Sequence, residues 1–200
     1  MSTTPEQQQF NPSVSANYGF TFPARPSLYM RGYIKYMDAI YSWDVERILD
    51  CFDEELEHRI LPGSLNRPVL NKRQYRDYLN GVLPLFRICK TPAFVRFTSS
   101  MDLHEIIEVQ ERMTVHMTVR GRGTSGASYA NETTQIIHWK LPPPSSDPYA
   151  LSKIRLMKEF VDSLFASTFF SNERALAKEK AQQARERLSL SSRSSFSRRS

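Results

Sequence analysis

From Val109 to Arg120 the chain alternates between apolar and polar residues. Val109, Met113, Val115, Met117 and Val119 fall on one parity, and Gln110, Arg112, Thr114, His116, Thr118 and Arg120 on the other. Successive strand side chains point to opposite faces, so this pattern calls for a sheet with one face packed and one face wet. The spacing predicts one long strand over roughly Ile106 to Gly121. Such a strand needs partners. β-Favouring runs at Phe94 to Thr98, Ala127 to Lys140 and Ser152 to Val161 supply them, and Pro92 bars helix just before the first. The turn Gly121-Arg122-Gly123-Thr124-Ser125-Gly126 joins strand to strand. It lacks the following helix and Lys-Ser/Thr of a phosphate loop, which argues against nucleotide binding.

The first half of the chain is helical by contrast. After Ser27, a suitable cap, Leu28, Tyr29, Gly32, Tyr33, Tyr36, Met37 and Ile40 recur at helical spacing to Tyr41. Trp43 to Phe52 follows with Val45, Ile48, Leu49 and Phe52 on one face and Asp44 at its start. Glu55 to Leu61 reads as a short strand closed by Pro62-Gly63, and Asn71 to Phe86 as another amphipathic helix. Beyond Asp162 the pattern turns helical to about Leu188, with Phe165, Phe169 and Leu176 on one side. Residues 1–26 form an expected disordered arm whose Phe20 and Phe22 could dock on the domain, and 189–200 an expected disordered Ser/Arg tail. The expected organisation is one folded domain over 27–170, a helical extension over 171–188, and the two tails.

Charge adds little about partners. The net charge is +6, and Arg185, Arg187, Arg193, Arg198 and Arg199 against Glu186 place four of those charges in the last sixteen residues. The folded part is nearly balanced, so nucleic-acid binding is not expected. Cys51 and Cys89 form no Cys-x-x-Cys pair and read as reduced structural thiols. No metal site is expected from the histidine spacings either. The start of the sequence lacks a basic and apolar leader, and no apolar run reaches the ~18 residues of a membrane span, giving a cytoplasmic or nuclear expectation with no membrane partner.

Lys153 to Ser163, KIRLMKEFVDS, carries two carboxylates on a strand that runs into a helix. Residues three apart on a regular strand face opposite ways. Ile154, Leu156 and Phe160 share a side with Asp162, whereas Met157 and Val161 share one with Glu159. Parity therefore puts Asp162 on the more apolar face, as a pocket acid or base or as the cap of the next helix. Glu159 needs a bulge to share that face.

Helix, helix, short strand, helix and then long antiparallel strands resembles the nuclear-transport-factor-2-like superfamily, and in particular the small fungal members of its SnoaL-like branch. The matching segments are Ile40 to Phe52, His58 to Leu65 with Pro68 and Lys72, Gly121 to Gly126 leading to Tyr129-Ala130-Asn131-Glu132, and Lys153 to Ser163. The resemblance spans about residues 28 to 170. It implies an α+β fold, a curved antiparallel sheet wrapped around three N-terminal helices as a cone-shaped barrel, with a blind and largely apolar pocket. It also implies dehydratases, isomerases or cyclases, or members with no chemistry, since fold does not give function.

Candidate residues follow from the patterns. His58 shares a strand face with Leu56 and Ile60 and should point inward, as a hydrogen-bonded structural histidine or an acid-base group. Glu132 shares a face with Thr134 and Ile136 and is a pocket carboxylate if that face is concave. His116 lies on the polar side of its strand, His138 on the side of Ile136, and His104 near a turn. The expected catalytic set is His58, Glu159 and Asp162, with His116 or Glu132 as orienters. Tyr33, Tyr36, Trp43, Phe86, Met113, Met117 and Trp139 are the expected pocket lining. The leading functional expectation is a cofactor-independent lyase or isomerase acting on a hydrophobic polyketide- or terpenoid-like molecule. The competing one is a noncatalytic ligand-binding or dimerising module, with the sheet as the homodimer face and the Ser/Arg tail as a regulatory appendage.

Overall fold

The structure, a computed structural model, describes residues 20–86, 88–91, 94–97, 100–142, 144 and 150–196. Helix α1 (Leu28–Ser42) starts where the Ser27 side chain accepts the Met30 amide, and stops at Trp43, whose φ of 55° is left-handed. Helix α2 (Val45–Asp50) is capped by Asp44, which accepts from the Glu46 and Arg47 amides. It ends two residues short of the predicted limit because Phe52 opens strand β1 (Phe52–Leu61). Helix α3 (Lys72–Val82) begins with a reciprocal capping box between Asn71 and Gln74.

Strands β2 (Ile88–Thr91) and β3 (Phe94–Phe97) form a separate two-stranded ribbon. The main sheet contains β1, β4 (Ser100–Val109), β5 (Arg112–Arg122), β6 (Ser128–Lys140) and β7 (Lys153–Val161), in the order β1-β7-β6-β5-β4. Three of its pairings are antiparallel, but β1 runs parallel to β7, so the expected all-antiparallel sheet is a mixed one. The single strand predicted from Ile106 to Gly121 is corrected to a hairpin. It breaks at Gln110, whose φ is 52°, and β4 folds back onto β5. On β5 itself the alternation holds, with Met113, Val115 and Met117 buried, while Val109 is 61% exposed beside the turn.

Two bulges redirect side chains. On β4, Leu103 faces Met117 and Glu105 faces His116, leaving His104 as the extra residue. On β7, Ile154 faces Trp139 and Leu156 faces His138, leaving Arg155 as the extra residue. An extra residue shifts strand parity by one. Ile154, Met157, Glu159 and Val161 consequently look inward, and Phe160, expected inside, is 44% exposed.

The core lies between α1, α2, α3 and one face of the sheet, where Tyr33, Ile34, Met37, Ile48, Phe52, Ile137 and Met157 are essentially inaccessible. Phe20 and Phe22 pack edge-to-face against each other and onto this core, as expected of the arm's end; residues 1–19 lie outside the described residues. Helix α4 (Ser163–Phe196) starts where the Asp162 side chain accepts the Phe165 amide. Its Phe169 joins a second cluster with Val82, Phe86 and Tyr129. Leu176, expected on the packed side, is 37% exposed, and buried Glu173 takes that place. The helix also runs past Leu188 through residues expected to be disordered, to Phe196; positions 197–200 lie outside the described residues.

Candidate active site

Between α1, α3, α4 and the inner face of the sheet lies a cavity of about 400 Å³, a size that suits a small-molecule ligand. Its wall is mostly apolar, from Met37, Ile40, Trp43, Leu83, Phe86, Val119 and Val161 among others. Five tyrosines, Tyr36, Tyr41, Tyr75, Tyr78 and Tyr129, also line it.

Among the described residues the one carboxylate in that wall is Glu159. Register places it opposite Gln135 on β6 and Ile60 on β1. Its Oε1 accepts from Gln135 Nε2 at 2.7 Å, and its Oε2 meets His58 Nε2 at 3.0 Å. An ionised carboxylate only accepts, so Nε2 of His58 carries the proton in that contact. The Glu159 side chain is 18% exposed, toward the cavity it lines, whereas His58 is fully buried. Burial alone would raise the Glu159 carboxyl, but the charge and hydrogen bond of His58, then the Gln135 amide, outweigh it and hold the group below the ordinary glutamate value.

His58 is fixed from every side. Its backbone exchanges two hydrogen bonds with Leu70, and its ring stacks on Tyr75 with centroids 4.3 Å apart. Its Nδ1 is buried and has no hydrogen-bond partner among the described residues. The imidazole is therefore shielded from the cavity and acts on it through Glu159.

The tyrosine hydroxyls near this carboxylate stay neutral. Burial, followed by the negative charge of Glu159, pushes Tyr78 up to about 12. Burial likewise drives Tyr75 upward, reinforced by Glu159, and Tyr36, reinforced by Tyr75 and then Glu159. A neutral phenol beside a carboxylate can donate a hydrogen bond or a proton to an oxygen that gains charge. At the rim stand Arg67, from the loop after the tight turn Gly63–Leu65, and Arg174, from α4.

The outer wall is latched in place. Glu173 on α4 is 1% exposed and accepts from the Thr124 hydroxyl at 2.9 Å, the Ser125 amide at 3.1 Å and the Ser125 hydroxyl. Burial would raise its carboxyl, but these donors hold it below the ordinary value. Gly123 lies directly beneath, and a Cβ there would land on the Glu173 carboxylate. The glycine-rich turn thus serves as the seat of a helix.

The residues singled out in the sequence divide into three groups. His58 and Glu159 come together at the cavity. Asp162 does not: it is exposed and caps α4, because the extra residue Arg155 turns the parity that favoured it. His116 and Glu132 do pair, Nε2 to Oε1 at 2.7 Å, but on the solvent side of the sheet with 37% and 71% of their side chains exposed. The face of Glu132 is the outer one because Asn131, Thr133, Gln135 and Ile137 occupy the inner positions of β6. His104 shares that outer surface, bonded to Thr118, and His138 is half-buried there. Among the described residues no three His, Cys, Asp or Glu side chains gather as a metal-ligand set.

Of the expected lining, Tyr36, Trp43, Phe86 and Met117 reach the cavity. Tyr33, Met113 and Trp139 are core residues beside it. Tyr33 is spent on packing and a 3.4 Å hydrogen bond to Gln135, and Trp139 packs against Gly32 and Tyr29. Gln135, Tyr75 and Tyr78 were not foreseen as site residues, nor were Arg67 and Arg174. The available signal for Gln135 was its parity with Ile137 and Trp139, the more apolar set of β6. Cys51 is a buried thiol pushed up to about 11, mainly by burial, consistent with a structural role. The Cys89 side chain lies outside the described residues.

Among solved structures, the chain is similar to the BvnE pinacolase of Penicillium brevicompactum, with a TM-score of 0.57 and 17% identity over 76% of this chain and 96% of that one. PrhC of Penicillium brasilianum superposes with a TM-score of 0.56 and 17% identity over 76% and 93%. An NTF2-like protein of unknown function from Burkholderia pseudomallei gives 0.53 and 14% over 72% and 98%. No protein-family model matches the chain, and no curated protein matches it in sequence. At these identities the likeness establishes the fold, which is the NTF2-like α+β cone expected from the sequence. Among the described residues no helix is long and apolar enough to cross a membrane.

Proposed function

We propose that this NTF2-like fold houses a cofactor-independent acid-base isomerase or lyase acting on a hydrophobic small molecule. The observation that carries the reading is Glu159, a carboxylate kept ionised by His58 and Gln135 in the wall of an apolar cavity ringed by neutral tyrosines. In the proposed reaction Glu159 takes the proton from a carbon next to a carbonyl. The C–H electron pair becomes a carbon–carbon double bond, and the charge that moves to the carbonyl oxygen is stabilised by a hydrogen bond donated by Tyr75 or Tyr78, which keeps its proton. Return of the proton to a conjugated carbon completes an isomerisation; loss of a β-hydroxyl, leaving as water with that proton, completes a dehydration. His58 and Gln135 are positioning residues that aim the carboxylate. A base held below the ordinary glutamate range is matched to acidic carbons such as those flanked by two carbonyls. One of the similar structures is named a pinacolase, but that likeness is one of fold alone.

The test is proton exchange. Apolar β-diketones, β-hydroxy ketones and β,γ-unsaturated ketones are incubated with the protein in deuterated buffer and followed by NMR. The expected result is α-deuteration or turnover of at least one of them, lost by about 100-fold or more in Glu159→Gln, the low end of a general base's contribution. Equal rates in the wild type and Glu159→Gln would end the proposal.

A further inference from the structure

The cavity is electrically lopsided. Arg67 and Arg174 line its rim, both are exposed, and both act, as Glu159 does, on the Tyr78 hydroxyl. Three arginines do hold carboxylates: Arg59 pairs with Glu57, Arg76 with Glu46, and Arg120, also in the cavity wall, with Asp102. Among the described residues neither Arg67 nor Arg174 forms an ion pair. The Arg174 guanidinium instead lies 5.9 Å from the centroid of the Phe170 ring, another lining residue. Among the described residues the one anionic group in the same wall is Glu159, already bonded through both oxygens. Two unmatched cations at the rim and one committed anion in the wall form a gradient that sorts ligands by charge and by direction.

From this we infer that the cavity takes amphipathic acids: an apolar carbon skeleton ending in a carboxylate or an equally acidic oxygen. The anionic end is gripped at the rim by Arg67 and Arg174, as guanidinium forks grip carboxylates. The skeleton fills the space between Trp43, Phe86 and Val161. The reverse pose would set the anion against Glu159 and is rejected by like-charge repulsion. Placing the reacting carbon beside Glu159 rests on the proposed function; the acid preference does not.

Two probes with the same aromatic body separate these ideas: 8-anilinonaphthalene-1-sulfonate, and N-phenyl-1-naphthylamine, which lacks the sulfonate. Their fluorescence is titrated on the full chain. The sulfonate is expected to bind more tightly than the uncharged probe at low salt and to lose that advantage as salt rises. Exposed ion pairs are worth up to about 1 kcal/mol each, so Arg67→Gln and Arg174→Gln should each raise the sulfonate Kd up to about fivefold. Both substitutions should leave the uncharged probe unchanged, and Arg→Lys should restore most of the loss. Ala166→Trp, which fills the cavity from α4, should expel both probes.

The inference is overturned if the uncharged probe binds as well as the sulfonate, if both arginine variants leave the sulfonate Kd unchanged, or if Ala166→Trp retains the sulfonate. If neither probe binds, the small-molecule cavity fails along with it. If the arginine effects appear while Glu159→Gln leaves deuteration untouched, the acid site stands and the proposed chemistry falls.

Discussion

Replacing His58 by phenylalanine keeps a flat ring against Tyr75 and removes the partner of Glu159. The cost follows from what remains. A broken buried ion pair costs about 3–5 kcal/mol. Glu159 retains the Gln135 hydrogen bond and faces a cavity with 18% of its side chain exposed, so about 2–3 kcal/mol is the expected loss. For a folded body of this size that corresponds to a fall in Tm of about 5–10 °C. The pH dependence has a definite sign. In the wild type the Glu159 carboxyl is held below its unfolded value, so its contribution is present above that value and disappears as pH falls through the folded one. In His58→Phe, burial is opposed by Gln135 alone and the carboxyl rises above its unfolded value. The variant's penalty is then full at neutral pH and fades in acid, so the two Tm curves should converge only as pH falls below about 4, through the lowered wild-type value. Thermal unfolding of the wild type, His58→Phe, Glu159→Met and the double variant across this range gives the coupling directly. A coupling under about 0.5 kcal/mol at pH 7, the additivity limit for independent sites, or a penalty that does not change with pH, would refute the reasoning.

Asp162→Ala should cost about 1 kcal/mol through loss of the α4 cap and leave Glu159-dependent deuteration unchanged; a collapse of turnover at wild-type stability would give Asp162 a chemical role. Exchanging the solvent-side pair, His116→Gln with Glu132→Gln, should change stability by less than about 1 kcal/mol and probe binding not at all, measured by melting and fluorescence titration. Glu173→Gln should cost about 1.5–3 kcal/mol by weakening its charge-assisted hydrogen bonds. Gly123→Ala should destabilise as well, because its Cβ falls on the Glu173 carboxylate, whereas Gly63→Ala, with open space around it, should stay within about 0.5 kcal/mol of the wild type in denaturant titration.

The elements were legible where local chemistry marks them. Ser27 and Asp44 cap the helices they were expected to start, Asn71, expected as the first residue of its helix, caps that helix, and the Gly121–Gly126 turn joins the strands it was expected to join. What failed was parity across unmarked irregularities. Gln110-Glu111 turns a hairpin without glycine or proline, so the alternation on either side read as one strand. Arg155 makes a bulge with a residue ordinary in any strand, and that single position exchanges Asp162 for Glu159 at the cavity. Hydrophobicity likewise found Tyr33, Met113 and Trp139 as buried, but burial does not reveal which buried residues border a void. Arg67 and Arg174 were invisible for the opposite reason: nothing local distinguishes an arginine at a cavity rim from one on a solvated surface.

The seat of Glu173 on the β5–β6 turn makes the far tip of a hairpin and the covering helix one mechanical piece, although 48 residues separate Ser125 from Glu173. Helix α4 supplies Ala166, Phe170 and Arg174 to the cavity wall, so swinging it outward would release the Ser125 amide to solvent. That amide is therefore a built-in gauge. Its hydrogen exchange should slow when a ligand is enclosed and quicken when the helix lifts, which makes access to the cavity readable without knowing the ligand.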